Sequence, residues 1–144
     1  MVTISDRDII HVSKTPFDIT GSKTLNRKII STAKTFKPDL VVLGHADSVT
    51  NNTISELKNM NKSIKFSQWF LDPVSKSGPD YIKNKSRILD KSKHMDASFI
   101  TTDPKSLDFE INNSFYIPNP CDKSFETLNN FNFDGNNDLF FAMS

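Results

Sequence analysis

The sequence is poor in the residues that most often announce a chemistry. Its one cysteine, Cys121, cannot close an intramolecular disulfide, and so few sulfur ligands exclude a zinc-finger or iron–sulfur site. Four glycines in 144 residues leave no GxGxxG opening a helix and no GxxxxGK(S/T), so dinucleotide and P-loop readings both fail. A Gly-x-Ser-x-Gly elbow and a His-Glu-x-x-His pair are absent too. Neither sign of charge dominates: 18 Lys+Arg against 17 Asp+Glu leave +1, with no basic face to announce nucleic acid or an anionic membrane. No apolar run approaches the roughly 18 residues of a bilayer span. The start, Met1-Val2-Thr3-Ile4-Ser5-Asp6, has no basic stretch ahead of an apolar one and is not read as a secretory signal. The expectation is a protein of a reducing, cytoplasmic setting, with no membrane span, no nucleic-acid partner and no metal.

What is present is an alternation of apolar patterns in a chain long enough for one domain. Leu25, Ile29, Ile30, Ala33 and Phe36 recur at helical spacing and Pro38 stops them. Asp39 to His45 is then a short continuous apolar run of the kind that forms a buried parallel strand. Thr53 to Asn61 reads as a second helix, with Asn52 or Thr53 as its cap, and Ile64 to Leu71 as a second strand. After the Ser77-Gly78-Pro79-Asp80 breaker, Tyr81 to His94 is helical, Ala97 to Thr101 a third strand, and Ser114 to Ile117 a fourth. Asp103-Pro104 begins a short helical turn between them, and Met1–Ser5 and Asp138–Ala142 are strand-like. Strands joined by helices need right-handed crossovers. The fold class is therefore α/β: a doubly wound, mostly parallel Rossmann-like sheet with helices on both faces.

Ligands of such sheets collect outside the carboxyl ends of the strands. His45, which follows Gly44 at the end of the most apolar run, could bind or deprotonate an acceptor hydroxyl there, or simply hydrogen-bond loop backbone. Asp72, between Leu71 and Pro73, is either a base or hydroxyl ligand on the same rim or a turn-forming residue. Asp47 stands two residues beyond His45. Asp6, in Asp6-Arg7-Asp8, is a rim residue or part of a solvated charged turn. Trp69 packs in the core or stacks on a sugar. In Ile117-Pro118-Asn119-Pro120-Cys121-Asp122, two prolines stiffen a loop on which Asn119 and Asp122 offer polar contacts. His11, in a polar loop, and His94, at a helix end, are weaker candidates.

Four runs carry a resemblance: Lys37-Pro38-Asp39-Leu40-Val41-Val42-Leu43-Gly44-His45-Ala46-Asp47, Gln68-Trp69-Phe70-Leu71-Asp72, Asp96-Ala97-Ser98-Phe99-Ile100-Thr101-Thr102, and Phe115 through Glu126. In that order they resemble the N-terminal half of bacterial glycosyltransferases of the B-type fold, in particular the glycosyltransferase-like or spore-maturation-like group. The resemblance implies an acceptor-side Rossmann-like domain over residues 1–137, without the usual first strand and helix, and the start of a second domain at 138–144. It implies His45 and Asp72 as catalytic or acceptor-contacting residues and Asn119 and Asp122 toward the donor side; Gly44, Asp47 and Asp6 are candidate substrate-binding residues by their places on the rim.

The implied partners are a polyhydroxyl or glycan acceptor and, only together with a second domain, a nucleotide-sugar donor. No other cofactor is implied, and this chain alone is expected not to turn over. The alternative is a non-catalytic α/β binding or assembly module that forms homo-oligomers through exposed sheet edges or the apolar run Asp138-Leu139-Phe140-Phe141-Ala142. A phosphorelay receiver has a similar alternation of elements, but the acidic pair, phosphoacceptor Asp and Lys that such a domain needs are not in matching places.

Overall fold

The computed structural model describes residues 1–119; Cys121, Asp122 and the apolar run Asp138–Ala142 lie outside the described residues. In chain order the elements are helix α1 (Asp6–Val12), helix α2 (Ser22–Phe36), strand β1 (Leu40–Gly44), helix α3 (Asn51–Met60), strand β2 (Lys65–Phe70), helix α4 (Tyr81–Ser92), strand β3 (Ala97–Ile100), a 3-10 turn at Pro104–Ser106, and strand β4 (Ser114–Tyr116). The four strands form one sheet in the order β1-β2-β3-β4, and every pairing is parallel. The α/β class and the parallel, Rossmann-like sheet are those the alternating patterns predict; the double winding with helices on both faces is not seen among the described residues, because the strand order keeps one direction.

The strand order never reverses. Right-handed crossovers that all step the same way place their helices on the same side of a sheet. Val41 and Leu43 on β1 share that side with Phe66, Gln68 and Phe70 on β2 and Ser98 and Ile100 on β3, as the register requires. Leu25 of α2 and Ile54 and Leu57 of α3 pack with Leu43 and Phe66 in one buried cluster, and Ile88 of α4 packs with Phe70, Ile100 and Ile111 in a second. At the centre of this face, Gln68 donates to Ser98 at 2.8 Å, so the buried polar pair is satisfied.

The opposite face receives no helix among the described residues. Leu40 and Val42 on it are each 56% exposed, so β1 is an edge strand buried on one side rather than the fully buried strand its apolar run suggests. Apolar continuity reports burial only where a second layer exists to supply it.

Local capping explains the boundaries. Asp18, itself buried, accepts from the amides of Lys23 and Thr24 at 3.3 and 2.8 Å and so caps α2 from upstream, across Gly21 in its left-handed conformation (φ 72°). Lys37, also left-handed, and Pro38 end that helix. Helix α3 is capped by Thr50, whose hydroxyl accepts from the Thr53 amide, and not by Asn52 or Thr53. Asn26 of α2, nearly buried, accepts from the Thr50 amide at 2.9 Å and the Thr53 hydroxyl at 2.6 Å, and donates to Ser22 O and Ser48 O. One side chain thus joins the start of α2 to the start of α3.

The N-terminus departs from expectation. Met1–Ser5 forms no strand; Ser5 caps α1, accepting from Asp8 N at 3.3 Å, so Asp6-Arg7-Asp8 is a first helical turn and His11 lies in the last turn of the same helix. Two apolar residues, Val2 and Ile4, are too few to hold a strand against a local Ser cap with acidic residues in the first turn.

Candidate functional site

The carboxyl ends of β1 and β2 bring together three of the residues singled out from sequence. His45 follows β1 directly in the left-handed region (φ 46°), which a residue other than glycine enters only when its surroundings hold it there. The backbone turns tightly, with Asp47 N donating to His45 O at 3.0 Å, and this sends Asp47 back over the rim. Asp72 leaves β2 two residues after Phe70. Its loop is tied down on both sides: Asn84 Nδ2 donates to Pro73 O at 3.0 Å, Val74 N to Thr102 Oγ1 at 3.1 Å, and Thr101 Oγ1 to Leu71 O at 2.9 Å.

The residue that joins them is Arg87, on α4. Its Nε and Nη2 meet the two oxygens of Asp47 at 3.0 and 2.7 Å, its Nη1 meets Asp72 Oδ2 at 2.6 Å, and its Nη2 stands 3.2 Å from His45 Nδ1. The Phe70 ring is the floor of the cluster, stacked against the His45 ring at 5.6 Å and lying 5.3 Å from the guanidinium carbon. The hydrogen bonds to Asp47 first, and then to Asp72, outweigh partial burial and raise the Arg87 pKa above its ordinary value. The guanidinium remains a fixed cation, and it occupies the gap between the two carboxylates. Among the described residues no group of three or more histidine, cysteine or acidic side chains stands where it could hold a metal ion.

The recess behind this cluster, lined by Leu43, His45, Gln68, Trp69, Arg87 and Lys91 among others, is a cavity of about 20 Å³, room for about one water. The recess itself is too small for any ligand larger than a water. A larger cavity of about 250 Å³ runs along the outer edge of β1 between Met1–Ile4 and α2, but its wall is aliphatic, with Ile4, Leu25, Ile29, Val41 and Leu43 prominent. It is a gap in packing with few polar groups to orient a substrate.

The other predicted residues lie apart. Asp6 and Gly44 both line the aliphatic cavity, and the Asp6 carboxylate accepts from its neighbour Arg7 N at 2.8 Å, at the head of α1. Gly44 has ordinary backbone angles, and a Cβ built there meets nothing within 4 Å, so the fold itself does not demand glycine at this position. Asn119 is exposed beyond β4, three strands away from β1. Trp69 projects from β2 opposite Gln68 and Phe70, and its Nε1 is buried with no partner among the described residues. Sequence reasoning missed Arg87. The signal was a polar stripe, Asn84, Arg87 and Lys91, alongside the apolar Ile88 on one helix, with Asn84 almost fully buried.

Compared with protein-family models, with curated proteins and with solved structures, the chain matches none. Among the described residues no helix is long and apolar enough to cross a membrane.

Proposed function

We propose that this chain is the acceptor-side domain of a B-type glycosyltransferase, holding a hydroxyl-bearing or glycan acceptor over the rim formed by His45, Asp47 and Asp72. The observation that carries the reading is the His45–Arg87–Asp72 cluster at the carboxyl ends of adjacent parallel strands, with His45 in a strained backbone conformation. Exposed carboxylate oxygens beside an imidazole suit a polyhydroxyl ligand, which needs acceptors and donors in alternation. The near-neutral net charge fits a cleft that recognises hydroxyls and leaves a donor's phosphates to a second domain. In this reading the sugar comes from a nucleotide-sugar, no metal takes part, and transfer requires a partner domain.

The test is a titration of isotope-labelled protein with a panel of polyols and oligosaccharides, followed by amide chemical shifts. Perturbations centred on His45, Asp47 and Asp72, weakened in H45Q, are expected. A panel that leaves those amides unmoved would sink the reading, and sugar transfer by the purified chain alone would overturn the division of labour between domains.

A second reading, a non-catalytic α/β assembly module in which two copies pair, is favoured by the face that receives no helix among the described residues. Leu40, Val42 and Phe115 on it are each more than half exposed, and Trp69, Phe99 and Phe115 form a row of paired positions across three strands. Light scattering across a concentration series decides this one, since a monomer at every concentration rules it out.

A further inference from the structure

We infer that Arg87 is a positioning residue that fixes His45 in the tautomer protonated at Nε2, so that the rim offers a ligand an imidazole N–H donor and not a base. A guanidinium has donors and no acceptor. Its Nη2 at 3.2 Å from His45 Nδ1 therefore requires the lone pair at Nδ1, and the proton of the neutral ring sits on Nε2. The other candidate for that nitrogen is Asp72, and its Oδ2 lies 3.7 Å away, beyond hydrogen-bond reach, while already receiving Arg87 Nη1 at 2.6 Å. The Phe70 ring stacked on the imidazole opposes a tilt of the ring that would bring Nδ1 to the carboxylate.

The chemical consequence rests on the acceptor-site reading above. A hydroxyl, carbonyl or phosphate oxygen opposite Nε2 accepts a hydrogen bond and gives up no proton to His45. Any general base for the transfer lies elsewhere, and His45 serves to orient the ligand. This narrows the class of group at that position to an oxygen that accepts.

The tautomer is read directly from long-range proton–nitrogen correlations of labelled histidine, with no ligand present. In the wild-type protein Nδ1 is expected unprotonated and Nε2 protonated. An unconstrained imidazole already favours that form, so the contrast with R87M carries the test. Loss of the guanidinium releases the Asp72 carboxylate, which then rotates toward Nδ1 without any tilt of the stacked ring, and should swing the ratio toward Nδ1–H by about tenfold, the size of one charge-assisted hydrogen bond. R87K, still a pure donor, should restore much of the Nε2–H form, and D72N should leave it intact.

Nδ1–H in the wild type, an unchanged ratio in folded R87M, or a swing in D72N would each overturn the assignment. Should R87M not fold, the wild type and D72N still decide between Arg87 and the carboxylate. A correct tautomer with no polyol binding would defeat the acceptor-site reading and leave this assignment standing, so the two fail separately.

Discussion

Arg87 Nη1 stands 2.6 Å from Asp72 Oδ2, and the same guanidinium grips both oxygens of Asp47. Asp72, a candidate base by its place in the sequence, is thus half of a charge pair with one oxygen committed. The Arg87 side chain is 20% exposed and the carboxylates 38% and 57%, so solvent screens the cluster in part. R87M should cost about 1–2 kcal/mol, between an exposed pair and a buried one, since it leaves two like charges facing each other. D72N should cost less than about 1 kcal/mol, because the bidentate bond to Asp47 survives. Urea midpoints at neutral pH measure both, and an R87M midpoint equal to wild type would show that the cluster is not held together by its arginine.

The two glycines near the N-terminal elements should behave oppositely. Gly21 has φ 72°, and a Cβ there would stand 2.6 Å from Ile10 O and 2.8 Å from Ile10 Cα, both backbone atoms of α1. G21A should destabilise by more than about 1 kcal/mol and loosen α1. G44A, with open space and ordinary angles, should stay within about 0.5 kcal/mol of wild type. If G44A melts as early as G21A, the backbone geometry described at the end of β1 is wrong.

Asn26 is the polar residue whose removal should be felt most. Truncation in N26A strips the hydrogen-bond partner from the Thr50 amide and removes one of two donors to the Ser48 carbonyl, which keeps the Ser22 hydroxyl, at a cost of about 1–3 kcal/mol, most of it for the amide left unsatisfied. Amide exchange should quicken at the first turns of both α2 and α3 together. Quickening confined to α2 would mean that the side chain does not join the two helices.

Acid should destabilise the fold through carboxylates held below their ordinary pKa. Asp96 is lowered by the Phe66 amide first and then by Lys65, with contacts at 2.9 and 3.1 Å; Asp90 is lowered chiefly by Lys91. For Asp18 the amides of Thr24 and Lys23 more than offset burial, which acts the other way. Each group binds its proton more weakly folded than unfolded, so its contribution is present above the unfolded value of about 3.9 and is lost as pH falls toward the lowered folded value. Stability should stay level from neutrality to about pH 5 and decline below about pH 4, and D96N should flatten part of that decline. A fall in stability that begins near pH 6 would show that these carboxylates do not set the acid limit.

The elements were legible in the sequence because their signals are local. Ile64 to Leu71 and Ala97 to Thr101 carry β-branched and aromatic residues between breakers, and the strands fall within them. The capped turn at Asp103-Pro104 is local as well. Arg87 was legible only as part of the polar stripe Asn84, Arg87 and Lys91, since its partners Asp47 and Asp72 lie 40 and 15 residues away and the stripe does not say what it joins. Asp6 misled for the opposite reason: a Ser5 cap made a helix of what two apolar residues suggested was the end of a strand.

Sequence alone determined that this is an α/β chain with a parallel sheet, since the repeat of apolar runs and amphipathic segments leaves few other ways to bury both. It also put His45, Asp47 and Asp72 at the ends of strands, because strand limits follow from glycine and proline. Only the tertiary structure decided which face of the sheet the helices cover, as the strand order fixes the side on which each crossover passes. It alone set Arg87 among the rim residues and so decided what they can do, because charge and proton position depend on distances between segments that are remote in the chain.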